Sequence, residues 1–259
     1  MAQIITTELV KELRDATGIS VMQCKRALEE AGGDMTKALA ILKKTSSDIA
    51  LKKADRNAAD GAVAVKTENG KSVLVALHCE TDFVSKNEDF VFLLNKLVNI
   101  AFTDGIEKMK EVSKDLIDPI IQKTGENIQL GESYTIEGSV LGVYIHNNKK
   151  AVIVSLEGGN AEIAKDIAMH ITAMKPEYIS KDDITEEAKN TMLEIFQKEV
   201  AGIDKPEEIK KKMLEGKIST YFKEKTLLDQ PSIKNPDETI GQILDRAKAK
   251  IKEVKSYSI

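Results

Sequence analysis

The sequence predicts an α+β fold: an N-terminal three-helix bundle, then an antiparallel hairpin-plus-helix core present twice, with a helical insert in the second copy. Three observations carry this expectation. Residues 1–45 place apolar side chains at helical spacing, interrupted by Gly18 and Gly32-Gly33. Further on, Glu68-Asn69-Gly70 and Asn147-Asn148 each separate two β-rich runs, and such turn residues between apolar strands signal hairpins. Finally, ENGKSVLVAL at 68–77 is echoed by NNKKAVIVSL at 147–156, the mark of an internal duplication.

Each element can be justified in order. Thr6 or Thr7 can cap a first helix whose face is Leu9, Leu13 and Ala16, with Val10 beside it, and Gly18 ends it. Ser20 followed by Gln23 is a capping-box signal. The helix it opens presents Val21, Cys24, Leu28 and Ala31, with Met22 between the core positions. Asp34 can cap a third helix that turns Met35, Ala38, Leu39 and Leu42 inward. Residues 46–60 are polar and Ala-rich and suit a linker, which could be helical, leading to the next domain. Strands at 61–66 and 72–79 form the first hairpin. The helix after them, over 87–101, carries Phe90, Leu94, Leu97 and Ala101 on one stripe, thickened by Val91, Leu93, Val98 and Ile100, and reads as nearly buried. Another helix around 114–123 stops near Gly125. The second copy places strands at 138–144 and 151–156 and a helix at 161–174. Helices at 185–200 and 206–222 follow as an antiparallel pair. A last helix covers 239–250, and 252–259 alternates like a terminal strand. The expected domains are therefore 1–50, 51–137 and 138–259, the last including the helical hairpin 185–222.

Composition narrows the function. With 259 residues, 42% hydrophobic and 31% charged, the chain can bury several cores. A net charge of −4 and the lack of a basic block argue against a protein devoted to gripping nucleic acid. Lys210–Lys212 and Lys248–Lys255 are interleaved with apolar or acidic residues and read as solvated helix faces. With no Trp and 4% aromatics, the chain offers few stacking platforms. No run approaches the ~18–20 apolar residues of a membrane span. The start, MAQIITTELV, lacks the basic and apolar regions of a secretory signal, and Cys24 and Cys79 read as reduced thiols, so a cytoplasmic protein is expected. There is no GxxxxGK[ST] and no GxGxxG after a strand, so no cofactor is implied by those motifs. His78 and Cys79 are neighbours on one strand and point to opposite faces, while His146 lies in a hairpin and His170 in a helix. No metal-ligand spacing is present, and no metal site is expected.

The unusual stretch is the strand-to-helix corner ETDFVSKNEDF at 80–90. Polar turn residues belong at such a corner; the adjacent Phe83 and Val84 do not. Phe83 could be a hydrophobic staple packing on Phe90 or Val91, or an exposed anchor for a partner. The matching corner of the second copy is Glu157-Gly158-Gly159-Asn160, ordinary turn chemistry, so a Phe is not needed to turn the chain. That favours the anchor. Glu80 and Asp82 could also form an acid–base pair of a hydrolase; the alternative is a pair of acidic residues near a helix N-terminus.

Four segments in order resemble the bacterial elongation factor Ts family, the guanine-nucleotide exchange factors of elongation factor Tu. They are LRDATGISVMQCKRALEEAGGDMTKALAIL, the TDFV signature at Thr81–Val84, IAMHITAMKPEYIS and LLDQPSIKNPDETIGQIL. The resemblance implies that the first three helices are a ubiquitin-associated-like module and that 185–222 is a protruding insert; that hairpin could mediate a homodimer or simply cover a subdomain. It implies a non-enzymatic factor that binds elongation factor Tu, both GDP-bound and nucleotide-free, displaces its Mg²⁺ and releases GDP. Thr81, Asp82, Phe83 and Val84 would act at the partner's nucleotide site, and Arg14, Val21 and Met22 would bind through the N-terminal module. Val84 is expected to turn back under the helix rather than enter the partner. Two features depart from the family pattern: Val21-Met22 replaces its usual pair of methionines, and the chain stops at Ile259, where many members carry a longer terminal segment. The alternative is a ubiquitin-associated-like adaptor without exchange activity.

Overall fold

Capping side chains set the first three helices. In the computed structural model, which describes residues 5–259, Thr6 opens α1 (Thr7–Thr17) by accepting from the Leu9 amide. Ser20 opens α2 (Val21–Glu30) through the Gln23 amide, and Asp34 opens α3 (Met35–Lys53) through the Lys37 amide. Each cap satisfies a donor that has no partner inside the helix. Gly18 closes α1 at φ 67°, a left-handed conformation that a β-carbon would strain. Val10, Leu13, Ile19, Cys24, Ala27, Leu28, Ala38 and Leu42 form the core of the bundle. Ala16, Val21 and Leu39, expected inside, are exposed instead. Three short helices bury only one narrow seam each, so the flanks of each apolar stripe face water.

The chain continues through β1 (Asp60–Glu68), β2 (Lys71–Cys79), a single turn of helix α4 (Asp82–Ser85), α5 (Glu88–Thr103), α6 (Ile106–Thr124) and β3 (Gln129–Glu137). The expected linker is therefore helical as far as Lys53. Ser46 and Ala50 are buried, Ser47 donates to the Asp118 carboxylate at 2.5 Å and Lys43 pairs with Asp115 at 2.7 Å, which fastens α3 along α6. Tertiary contacts thus extend a helix that its own propensity leaves marginal. Helix α6 starts earlier than expected because Met109 and Ser113 continue its buried face toward Gly105.

The first sheet has the order β1-β2-β3 and is antiparallel throughout. Strand β3 was not legible in the sequence, since QLGESYTIE alternates only weakly. Gly131 on it is required by close approach: a β-carbon there would lie 2.9 Å from the His78 ring. That ring reaches the Tyr257 hydroxyl at 2.7 Å. The sheet packs on α5 and α6 through Val73, Val75, Leu77, Phe90, Leu94, Leu97, Met109 and Ile121.

The second copy repeats the plan with β4 (Val140–His146), β5 (Lys150–Glu157) and α7 (Ala161–Met174). Asn147 and Asn148 turn the hairpin at φ 50° and 56°, the left-handed pair a two-residue turn needs. Helices α8 (Glu186–Ala201) and α9 (Glu207–Lys225) form the insert, followed by α10 (Ile240–Arg246) and β6 (Lys250–Ser258). Helix α10 ends before the expected 250 because Lys248 takes φ 50°, which breaks the helix ahead of β6. The sheet order is β4-β5-β6, so each copy adds one later strand to its hairpin.

The molecule divides into two compact units. The first comprises the chain to Glu137 with Ile145–Ala151 and Lys255–Ile259; the second comprises Gly138–Tyr144 and Val152–Val254. The core of the second gathers Val152, Val154, Leu156, Ile167, Leu227, Ile240 and Leu244.

Candidate functional site

The corner after β2 is an insertion. The second copy passes from β5 to α7 through Gly158, Gly159 and Asn160, whereas the first uses residues 80–87 and fits α4 into them. A four-residue helix cannot hold itself, so its orientation comes from what grips it. Three grips hold the corner. Val84 turns inward and joins the core with Phe90 and Leu94, as the sequence led us to expect. Asn87 caps α5 by accepting from the Asp89 amide at 2.9 Å. Glu126 clasps the entry: its carboxylate accepts from the amides of Glu80 and Thr81, at 3.1 and 3.0 Å, and from the Thr81 hydroxyl at 2.6 Å.

Thr81 therefore gives its hydroxyl to Glu126 rather than capping α4. Glu80 accepts from the Asn127 amide at 2.7 Å and lies 3.6 Å from Arg56. Asp82 pairs with Lys86 one turn on, at 2.7 Å, in the open. The hydrogen bond to Asp82, then its charge, raises the Lys86 ammonium above its ordinary value. Glu80 and Asp82 thus face different partners, Arg56 and Asn127 for the first and Lys86 for the second.

Phe83 is left standing out. It is 82% exposed, which overturns the staple: among the described residues neither Phe90 nor Val91 buries the ring. On α5, Val91 is exposed, contrary to the expectation of a nearly buried helix, and Phe92 is 71% exposed. A helix lying on a sheet keeps an outer face, and these two residues occupy it. Phe92 was missed in the sequence, although its position two residues after Phe90 takes it off the i, i+4 stripe. Glu126 was missed as well. Its only local signal is an acidic side chain between the helix-closing Gly125 and the buried Asn127 and Ile128.

In the N-terminal module, Arg14 and Val21 line a cavity of about 380 Å³ with Val10, Lys11 and Lys25. Met22 is 60% exposed and does not line it. Val21 thus lies at the surface rather than in the core stripe. Among the described residues no cluster of His, Cys, Asp and Glu could hold a metal ion, and no helix is long and apolar enough to cross a membrane.

A family model described as Elongation factor TS matches residues 80–259, starting at this corner. Together with the α+β fold, the match defines the class: an elongation factor of protein biosynthesis. Elongation factor Ts of Hahella chejuensis is 40% identical over 262 residues, covering 98% of this chain and 92% of that protein. Elongation factor Ts of Cellvibrio japonicus is 42% identical over 260 residues, covering 98% and 89%. The chain belongs to the elongation factor Ts family.

Proposed function

We propose that this chain binds elongation factor Tu, in its GDP-bound and nucleotide-free forms, and promotes GDP release without catalysing a reaction itself. The observation that supports this is a single Phe, 82% exposed, on a turn whose neighbours Val84 and Thr81 are tied down. A preorganised anchor loses little freedom on binding, so more of its burial energy reaches the complex. In this reading Asp82 and Phe83 face the partner, while Thr81 and Val84 hold them there. Phe83 enters an apolar pocket beside the partner's nucleotide and shifts the elements holding Mg²⁺ and the β-phosphate. Without the ion's charge the diphosphate is poorly neutralised, and GDP leaves. The exchange is negative coupling, and GDP must weaken the factor by the same ratio as the factor weakens GDP. Each tenfold weakening requires ~1.4 kcal/mol of factor-binding energy. Burying one Phe yields only ~1.5–3 kcal/mol, so a wide surface must contribute. Arg14, Val21 and Met22, on the module spanning residues 1–50, are assigned part of it.

The test is release of a fluorescent GDP analogue from elongation factor Tu in stopped flow. The chain should accelerate it and Phe83→Ala should abolish most of the acceleration. Binding without acceleration would leave the adaptor instead; full acceleration by Phe83→Ala would move the site elsewhere. The buried free thiols Cys24 and Cys79 suit action in a reducing cytoplasm. We further assign homodimer contacts to α8 and α9, where Ile195 and Ile209 are exposed; equilibrium sedimentation as a monomer at micromolar concentration would sink that assignment.

A further inference from the structure

We propose that Lys149 is a positioning residue for Phe83, bracing α4 from the turn of the second hairpin. The proposal rests on the exchange function above. Lys149 directly follows the Asn147-Asn148 turn and belongs to the first unit. Its ammonium carries three donors. One goes to the Asp60 carboxylate, one to the Gly61 carbonyl at 2.6 Å and one to the Ser85 hydroxyl at 3.1 Å. Asp60 and Gly61 open β1, and Ser85 is the last residue of α4, buried and two positions from Phe83.

The tip carrying Lys149 is itself fixed. The Val63 amide donates to the Asn148 carbonyl at 2.8 Å, and the Ile259 amide to the Lys149 carbonyl at 2.9 Å. The brace is therefore rooted in hydrogen-bonded backbone at its Lys149 end, and at the other it meets the Gly61 carbonyl, the Asp60 carboxylate and the buried Ser85 hydroxyl. Burial pushes the Asp60 carboxyl up, but the hydrogen bonds from Lys149, Ser85 and the Gly61 amide outweigh it and leave the group below its ordinary value. The Asp60 carboxyl therefore stays ionised at neutral pH. Glu126 grips the entry of the corner and Val84 its inner face; beyond them Asn87 caps α5, and Lys149 holds the last residue of α4 itself. With all of these in place the ring of Phe83 has one mount. Without Lys149, α4 keeps its inward Val84 but can rotate about it, and the anchor is presented in many directions.

The experiment uses the full chain and elongation factor Tu, with release of the fluorescent GDP analogue followed over a range of factor concentrations. Lys149→Met should lower the maximal release rate about tenfold, the scale of one lost charge-assisted hydrogen bond. The half-saturating concentration should stay within about twofold, because the wide binding surface is untouched. Lys149→Arg, which keeps charge and donors, should restore most of the rate. Ser85→Ala, which leaves Lys149 on Asp60 and Gly61 but removes its link to α4 along with the Ser85 hydroxyl's own bonds to the Asp82 carbonyl and to Asp60, should lower the maximal rate in the same direction by less. A wild-type maximal rate in Lys149→Met, or a loss confined to the half-saturating concentration, overturns the proposal. Should Lys149→Met fail to fold, Ser85→Ala decides, and an unchanged rate overturns it. Amide hydrogen exchange at 82–86 separates the brace from the exchange function. Faster exchange in Lys149→Met while the wild-type chain leaves GDP release unaccelerated keeps the brace and discards the function; unchanged amide exchange discards the brace.

Discussion

Replacing Glu126 by alanine should loosen the Phe83 corner before it loosens anything else. The carboxylate accepts three hydrogen bonds, from the Glu80 and Thr81 amides and the Thr81 hydroxyl, at 3.1, 3.0 and 2.6 Å. A hydrogen bond to a charged group is worth ~1.5–3 kcal/mol net, so three sum to at most ~4.5–9 kcal/mol. That sum is an upper bound, because bonds sharing one carboxylate are not additive. All three residues are also only half-buried, so water can replace part of what is lost. The expected cost of Glu126→Ala is therefore about 2–3 kcal/mol. Urea unfolding measures it, with an unchanged slope showing that the denatured state is unaltered. Hydrogen exchange locates it: amides at 80–85 should exchange faster while those of α5 and β2 hold. A stability change under ~0.5 kcal/mol, together with unaltered exchange at 80–85, would refute the idea that Glu126 holds the corner.

Phe83→Ala should change stability by less than ~0.5 kcal/mol, whereas its neighbour Val84→Ala should cost about 2 kcal/mol, since the first ring is exposed and the second side chain is core. Thermal unfolding of the two variants checks this, and the reverse order would overturn the assignment of inside and outside. His170 supplies a pH prediction. It is fully buried, its Nδ1 accepts from the Ile233 amide at 3.3 Å and its Nε2 faces the Gln230 carbonyl oxygen at 2.8 Å. Burial lowers its pKa, only partly offset by the bond to Gln230. The unfolded chain then binds the proton more readily than the folded one. Stability should be full above about pH 6.5 and decline as pH falls toward the folded-state value, by at most ~1.4 kcal/mol per pH unit. Urea unfolding between about pH 7.5 and 5 measures it, and stability that rose on acidification through this window would contradict the neutral, buried ring.

Much of the architecture was legible because it is locally encoded. Thr6, Ser20 and Asp34 cap the helices they were expected to cap, and both Asn-containing turns make hairpins. The exposure of Phe83 was readable by comparing the two copies, since the second corner turns without a Phe; the inward turn of Val84 was a separate expectation that the copies do not decide. What escaped depends on distant residues. Glu126 lies 45 positions from Thr81 and Lys149 lies 64 from Ser85, and neither separation leaves a mark in a local window. Strand β3 escaped because its partner β2 supplies the apolar surface while β3 itself is half polar. Val21, Leu39 and Val91 were misjudged in the same direction: apolar periodicity gives the direction of a buried face but not its width.

Helix α3 has a consequence for how the chain comes apart. Its first half supplies Ala38 and Leu42 to the bundle core, while its second half supplies Ala50 to the core beneath the sheet. One uninterrupted ladder of backbone hydrogen bonds thus belongs to two hydrophobic interiors. Unravelling either end withdraws a wall from the other, so the pair should open as a single cooperative foldon. A protease would find no hinge to nick between Met35 and Lys53, and a chain shortened to residue 50 would be cut inside the half of the helix that packs beneath the sheet.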